Sequence, residues 1–379
     1  MPLRSTRSLP VARSARPRSP IRMGLLAAIG LAQLILLNQA SGDHSRALAQ
    51  EAPGQKQPAT AASQQEPQAP CPFSFVDVGS GDYFYNAVGY MFCRGVVEGY
   101  SDDTFRPYNA TTRGQLSKMV VLAEAFPIDT SGGPHFSDVP PGSAFYSYVE
   151  TAYHRSIISG YSDGSFRPNT NVGRGQLAKM LITAQGWPLA NPSSARFSDA
   201  PVGSAYFKYV ETAVSRNVMS GYGDGTFRVG APATRGQIAK VLYLTTFGTQ
   251  LTALEQATVD MINSRRAAMG LGGLRLNPSL TVASREHSND IGPAGVCQHN
   301  GTDGSSPWDR IAQAGYTGDA MGEVVGCGYN SAQGVVDAWW ASSGHYAILT
   351  DPNANSIGCG WWVNSTGYGW QTCDTGNGP

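Results

Sequence analysis

Three arginines stand at one spacing. Arg113, Arg174 and Arg235 are 61 residues apart, twice. Their settings are Thr112-Arg113-Gly114-Gln115, Gly173-Arg174-Gly175-Gln176 and Thr234-Arg235-Gly236-Gln237. A threonine followed three residues later by glutamine is a capping box, in which each side chain satisfies a backbone N–H that the first helical turn leaves open. Glycine is a weaker cap. The arginine therefore falls in the first turn of a helix, where the helix dipole disfavours a cation. A helix N-terminus with a guanidinium fork is also a ready anion site. Anion binding, offered three times, is the chemistry of these positions. The structural alternative is that each arginine packs on loop aromatics or pairs with a loop aspartate.

The elements around the arginines repeat as strictly. Phe75-Val-Asp-Val, Phe136-Ser-Asp-Val and Phe197-Ser-Asp-Ala keep the same interval, each 38 residues before its arginine. An undisturbed period of this kind marks a repeat architecture. Each unit reads as an aromatic-rich helix, such as Tyr146-Ser-Tyr-Val-Glu-Thr-Ala-Tyr-His, with apolar positions at helical spacing. A loop follows, opening Gly99-Tyr100, Gly160-Tyr161 or Gly221-Tyr222 and ending Phe-Arg. Pro107 and Pro168 follow in two copies and Val229 in the third. The second helix then opens at the arginine.

These residues resemble the S-layer homology (SLH) domain, a cell-wall anchoring module usually present in three copies. The resemblance covers about residues 75–247. It rests on Phe-x-Asp-Val, the Gly-Tyr-x-Asp-Gly-x-Phe-x-Pro loop and the spaced Thr-Arg-x-Glu motif. It implies a mostly α-helical, pseudo-threefold bundle whose grooves bind an acidic, often pyruvylated, cell-wall polysaccharide. The motif arginine of the family contacts the anionic sugar, a role that falls here on Arg113, Arg174 and Arg235. The family's Glu is Gln in all three copies, and the middle copy lacks the Thr.

The C-terminal part reads as a helix from Leu254, a second helical segment Val282–Asp290, a helix Val335–Tyr346, and two final antiparallel strands joined by Asn364-Ser-Thr-Gly. With His299-Asn-Gly-Thr-Asp303-Gly-Ser-Ser-Pro-Trp308-Asp-Arg310-Ile, the Gly322-Glu323 pair and Trp339…Ser343-Gly-His345, it resembles the CAP (SCP) superfamily in its bacterial secreted form. That resemblance implies a three-layer α/β/α sandwich with a central antiparallel sheet. Its cleft carries two histidines and usually two acids, which bind a divalent ion in some members. By position His299, Glu323 and His345 match that cleft. Val324 stands where the family has Asn, Ser342 where the second acid is expected, and Tyr346 where Arg is frequent. Asp303 is the candidate for the missing carboxylate.

Two His and one Glu form a donor set for zinc with an open position. They lie on different elements, so only the fold brings them together. The C-terminal part has no His-Glu-x-x-His metalloprotease motif and no Gly-x-Ser-x-Gly nucleophile elbow. Ser343 and His345 are two apart, and such side chains do not face each other on a helix. His287 reads as structural, and His135 and His154 stand without a motif partner.

Composition sets the compartment and excludes classes. The 27 basic residues equal the 27 acidic ones, which argues against a nucleic-acid binder. An apolar fraction of 41% argues against wholesale disorder. The neutrality is uneven. Residues 1–22 hold six arginines and no acid, followed by an apolar run Met23–Leu37 and Ala47-Leu48-Ala49. This order is that of a secretory signal peptide; an uncleaved N-terminal anchor is the alternative. Beyond residue 49 remain 20 basic and 26 acidic residues, and 251–379 alone hold 5 and 11.

The six cysteines fit an oxidised, exported chain. Cys71 and Cys93 have no counterparts in repeats two and three, which suits a staple confined to repeat one. Cys359–Cys373 would bridge the final hairpin, leaving Cys297–Cys327; six cysteines admit fifteen pairings.

The expectation is a signal peptide (1–49), a linker (50–70), SLH repeats (71–130, 131–191, 192–250) and a CAP domain (251–379), with no transmembrane domain in the mature chain. Such a protein is secreted and held non-covalently on the cell wall, where it displays a domain that binds a ligand or partner. The alternatives are a metal-assisted extracellular hydrolase, with zinc as its cofactor, and a structural envelope component.

Overall fold

The computed structural model describes residues 71–378, so the expected signal peptide and linker lie outside the described residues. Each repeat supplies two helices: α1 (Tyr85–Cys93) and α2 (Arg113–Ala123), α3 (Tyr146–His154) and α4 (Arg174–Ala184), α5 (Phe207–Ser215) and α6 (Arg235–Thr246). The second helices begin at the motif arginines. Thr112 and Thr234 form complete capping boxes with Gln115 and Gln237. Gly173 has no side chain, so only the return arm exists there: its N–H donates to Gln176 Oε1 at 3.1 Å.

The Phe-x-Asp motif has a mechanical role. Asp77 accepts from the N–H groups of Phe105 and Arg106, and Asp138 from those of Phe166 and Arg167, all at 2.7 Å. Asp199 accepts from Phe227 and Val229. Each aspartate thus ties the loop to the start of its own repeat, and seats a fully buried phenylalanine (Phe105, Phe166, Phe227).

The repeats contact one another cyclically. Helix α2 packs on α3, α4 on α5, and α6 returns to α1, while α2, α4 and α6 touch one another. The glycine after each motif arginine permits this approach. A Cβ at Gly114, Gly175 or Gly236 would lie 2.6–2.8 Å from the ring of Phe145, Tyr206 or Phe84 in the next repeat.

The C-terminal part holds α7 (Ala253–Ala268), β1 (Arg275–Leu276), α8 (Pro278–Ala294), α9 (Pro307–Gln313), β2 (Asp319–Tyr329), α10 (Ala332–Ala341), α11 (Ser343–Leu349), β3 (Ser356–Val363) and β4 (Gly369–Asn377). The sheet order is β1-β3-β4-β2. The antiparallel expectation holds for β2, β3 and β4 but is corrected at the edge, where β1 pairs parallel to β3. The chain enters β1 from α7 and turns at once into α8 at the Asn277 cap, which leaves no room for a hairpin. Along β3 the residues alternate. Gly358 and Gly360 lie under α8, where a Cβ would come within 1.9 and 2.3 Å of the backbone of Thr281 and Arg285. Ile357 and Cys359 face the other way, into a core with Val259 and Ile262 of α7 and Val335 and Trp339 of α10.

The single helix expected over Val335–Tyr346 is two helices. Ser342 is extended (φ −98°, ψ 120°) between α10 and α11. The run Ser342-Ser343-Gly344 combines two residues that compete with the helical backbone for hydrogen bonds and one with a large entropy cost.

All three disulfides form as the cysteine positions suggest: Cys71–Cys93, Cys297–Cys327 and Cys359–Cys373. The repeats and the C-terminal part also dock on each other. Tyr243 donates to Glu286 Oε1 at 2.8 Å, Lys240 to the Gln313 carbonyl at 3.3 Å, and Gln313 to the Ser80 carbonyl at 2.8 Å. The core of the repeats runs on into Leu280, Val282 and Ile311. No helix among the described residues is long and apolar enough to cross a membrane.

Candidate functional site

Glu323 is the centre of a polar cluster in the C-terminal part. Strand β2 holds it with its side chain almost wholly buried. Its Oε1 accepts from His299 Nδ1 at 2.8 Å and its Oε2 from Arg310 Nη2 at 2.7 Å. Arg310, on α9, also donates to the carbonyls of His299 (2.8 Å) and Ser305 (2.9 Å), which fixes the His299 loop against the sheet. His287 on α8 is fully buried. It donates to the Gln298 carbonyl at 2.9 Å and brings Nε2 to 3.9 Å from Glu323. The hydrogen bond that Glu323 accepts from His299 raises the pKa of that histidine. Burial, then the charge of His299, lowers that of His345 on α11. No hydrogen bond among the described residues joins His345 to His299 or Glu323.

A second carboxylate, that of Asp374, is buried beside Glu323. It sits opposite Glu323 in the β2–β4 register, with Ser284 Oγ 2.7 Å from its Oδ2. Burial, and then the charge of Glu323, push Asp374 well above the ordinary carboxylate range. Asp303 does not fill this place; its Oδ1 accepts from the Ser305 N–H at 2.8 Å and shapes the loop. Arg310 and Asp374 were missed from the sequence. Arg310 lay inside the Trp-Asp-Arg-Ile motif, and Asp374 shares one strand face with Thr372, the face that carries the polar side chains under α8.

The cleft side chains do not fit a divalent ion. The Arg310 guanidinium already balances the Glu323 carboxylate. The donor atoms of His299, Glu323 and His345 do not form a cluster within 4.8 Å, whereas those of His135, Glu150 and His154 do.

The motif arginines are buried between repeats. Arg113 donates from Nε to the Phe166 carbonyl at 2.9 Å and from Nη2 to the Ser159 carbonyl at 3.4 Å. Arg174 does the same to Phe227 (2.9 Å) and Ser220 (2.7 Å), and Arg235 to Phe105 (2.9 Å) and Glu98 (2.8 Å). Each guanidinium also stands over a tyrosine and a phenylalanine of the next repeat. The loop arginine approaches each tyrosine more closely. Arg106, Arg167 and Arg228 lie 3.8–3.9 Å from the Tyr100, Tyr161 and Tyr222 centroids and pair with Asp102, Asp163 and Asp224. These loop arginines are about half exposed. Nη1 of each motif arginine bonds to nothing among the described residues and is not a buried atom.

Comparison with known proteins decides the families. The S-layer homology domain model matches residues 74–117, 135–178 and 196–239, and the cysteine-rich secretory protein family (CAP) model matches 259–375. The chain carries three SLH repeats followed by a CAP domain. Among curated relatives, an endoglucanase of Bacillus sp. strain KSM-635 is 29% identical over 45% of this chain and 18% of its own. The uncharacterized protein YkwD of Bacillus subtilis is 29% identical over 35% of this chain and 50% of its own. A surface-layer 125 kDa protein of Lysinibacillus sphaericus is 27% identical over 42% of this chain and 14% of its own. The chain thus spans half or less of these relatives.

One cavity joins the SLH and CAP parts. It holds about 380 Å³ and is lined by Arg174, Tyr222, Gln237 and Lys240 from the repeats and by Asn277 and Tyr316 from the CAP domain.

Proposed function

We propose that this is an exported surface protein, anchored non-covalently to an acidic cell-wall polysaccharide by its SLH repeats, whose CAP domain binds a ligand or partner. The finer architecture belongs to the same reading: a pseudo-threefold helical bundle over 71–250 and an α/β/α sandwich over 251–379. One observation carries the anchor. At three equivalent places a largely buried motif arginine stands beside a tyrosine that a second, half-exposed arginine approaches more closely. Two guanidinium groups beside one tyrosine suit a carboxylated sugar, which offers an anion to the forks. The surface-layer relative supports the same placement.

In the CAP domain, a Glu323 held by His299 and Arg310 favours ligand binding over metal-assisted hydrolysis. The anchor is tested by sedimenting the full chain with purified wall polysaccharide, before and after chemical reduction of the polymer's carboxyl groups. The chain should pellet with the native polymer and remain soluble with the reduced one. Equal pelleting with both polymers, or with neither, refutes the anion reading.

A further inference from the structure

The same place in the three repeats is built in three ways. In the first repeat Gly89 occupies the helix position, and the Phe73 ring fills the space where a Cβ would be. In the third, Glu211 on α5 is buried and Arg196 Nε lies 3.3 Å from its Oε2. Arginine is charged at every working pH, so that carboxylate is always balanced. In the second, 61 residues earlier, Glu150 on α3 is again fully buried, but the arginine is replaced by His135. His135 Nδ1 lies 2.5 Å from Glu150 Oε2, and its backbone N–H donates to Oε1 at 3.0 Å. A histidine balances a buried carboxylate only while protonated.

A second histidine enters at the same repeat. His154 is one helical turn beyond Glu150, where the other two repeats have Cys93 and Ser215. Its ring packs edge-on to that of His135 at 5.1 Å. Its Nε2 is held 2.7 Å from the Ser131 carbonyl and 4.0 Å from Asp129 Oδ1. Gly133 admits the cluster, since a Cβ there would lie 2.6 Å from Glu150 Oε2. Donor atoms of His135, Glu150 and His154 all lie within 4.8 Å of one another. The sequence had left both histidines without a partner; the fold gives them one.

We infer that His135, Glu150 and His154 form a binding site for a divalent transition ion of the zinc class in the second SLH repeat. Two imidazoles and a carboxylate are a matched donor set for such an ion, with Asp129 and solvent completing the coordination. The ion supplies the positive charge that Arg196 supplies in the third repeat. It ties α3 to the loop before Phe136 and acts as a structural staple, where the first repeat has its Cys71–Cys93 disulfide between the same two elements.

The test is equilibrium dialysis of the full chain against zinc chloride, read by elemental analysis, with urea unfolding in parallel. One zinc per chain is expected. His154→Gln should weaken binding by about tenfold or more. His135→Arg rebuilds the arrangement of the third repeat, so it should abolish binding yet unfold at the same urea midpoint as the zinc-free parent. Zinc should raise the midpoint of the parent and leave that of His135→Arg unmoved. His299→Gln and His345→Gln should retain the ion. No bound zinc, or binding that survives His135→Arg or disappears with His299→Gln, overturns the site.

Discussion

Replacing Arg174 by glutamine tests whether the motif arginine is first a structural pin. The side chain makes two charged hydrogen bonds, to the Phe227 carbonyl at 2.9 Å and the Ser220 carbonyl at 2.7 Å. Each bond of that kind contributes about 1.5–3 kcal/mol net. Its contacts over Tyr222 and Phe227 add about 0.5–1 kcal/mol each. Glutamine recovers part of one hydrogen bond, so a loss of about 3–7 kcal/mol is expected at position 174. Lysine keeps the charge but not the fork, and should recover less than half of that loss. The three positions should not be equal. The second bond of Arg113 is 3.4 Å long, against 2.8 Å at Arg235, so Arg113→Gln should cost the least. Urea unfolding followed by far-ultraviolet circular dichroism measures all four variants. A loss below about 1 kcal/mol for Arg174→Gln, or the largest loss at Arg113, would show that the guanidinium does not lock the repeats together.

Further outcomes follow from particular contacts. Gly114→Ala places a Cβ 2.6 Å from the Phe145 ring and should cost about 1–3 kcal/mol by overpacking, read as a lower urea midpoint. Burial between the repeats and the CAP domain lowers the pKa of Lys240 to about 8 from 10.5. The unfolded chain then binds more protons between those values, so stability should climb with pH across that window. Lys240→Met should flatten the climb in thermal melts; an unchanged slope would refute the assignment. Removing Cys297–Cys327, which closes a separation of 30 residues, should cost about 3–4 kcal/mol on the chain-entropy account, read by comparing the double Cys→Ser variant with the parent.

What the sequence revealed were features whose partners are set by a fixed offset. Asp77, Asp138 and Asp199 each reach a loop 28 residues on, and the capping boxes close within three. The β3–β4 hairpin and its cystine were visible for the same reason. The partners of Arg310 and Asp374 were not, because they depend on how α8 and α9 lie on the sheet. A trace of that packing was present, since Gly358 and Gly360 alternate with Cys359 and Trp361 along a strand. Alternating glycines on one face leave space for a helix backbone, and α8 occupies it. His135 and His154 stood without a partner because nothing in the sequence marks Glu150, between them, as buried. Only its full burial gives the two histidines a purpose.

Two departures from the repeat pattern, separate in sequence, meet in space. Gly173 replaces the capping Thr in the second repeat, and Val229 replaces the loop Pro in the third. The Val229 carbonyl accepts from the Gly175 N–H at 2.9 Å, and a Cβ at Gly173 would lie 3.0 Å from that same oxygen. At the other two junctions the equivalent carbonyls belong to Pro168 and Pro107, and the caps opposite them are Thr112 and Thr234. The motif is thus intact at two junctions and altered on both sides of the third. That third junction carries Arg174, and Arg174 lines the one cavity described here that reaches Asn277 and Tyr316 of the CAP domain. The other two motif arginines do not line it. The CAP domain also reaches the intact α6–α1 junction, through Tyr243, Lys240 and Ser80, so what sets the altered junction apart is the cavity beside Arg174.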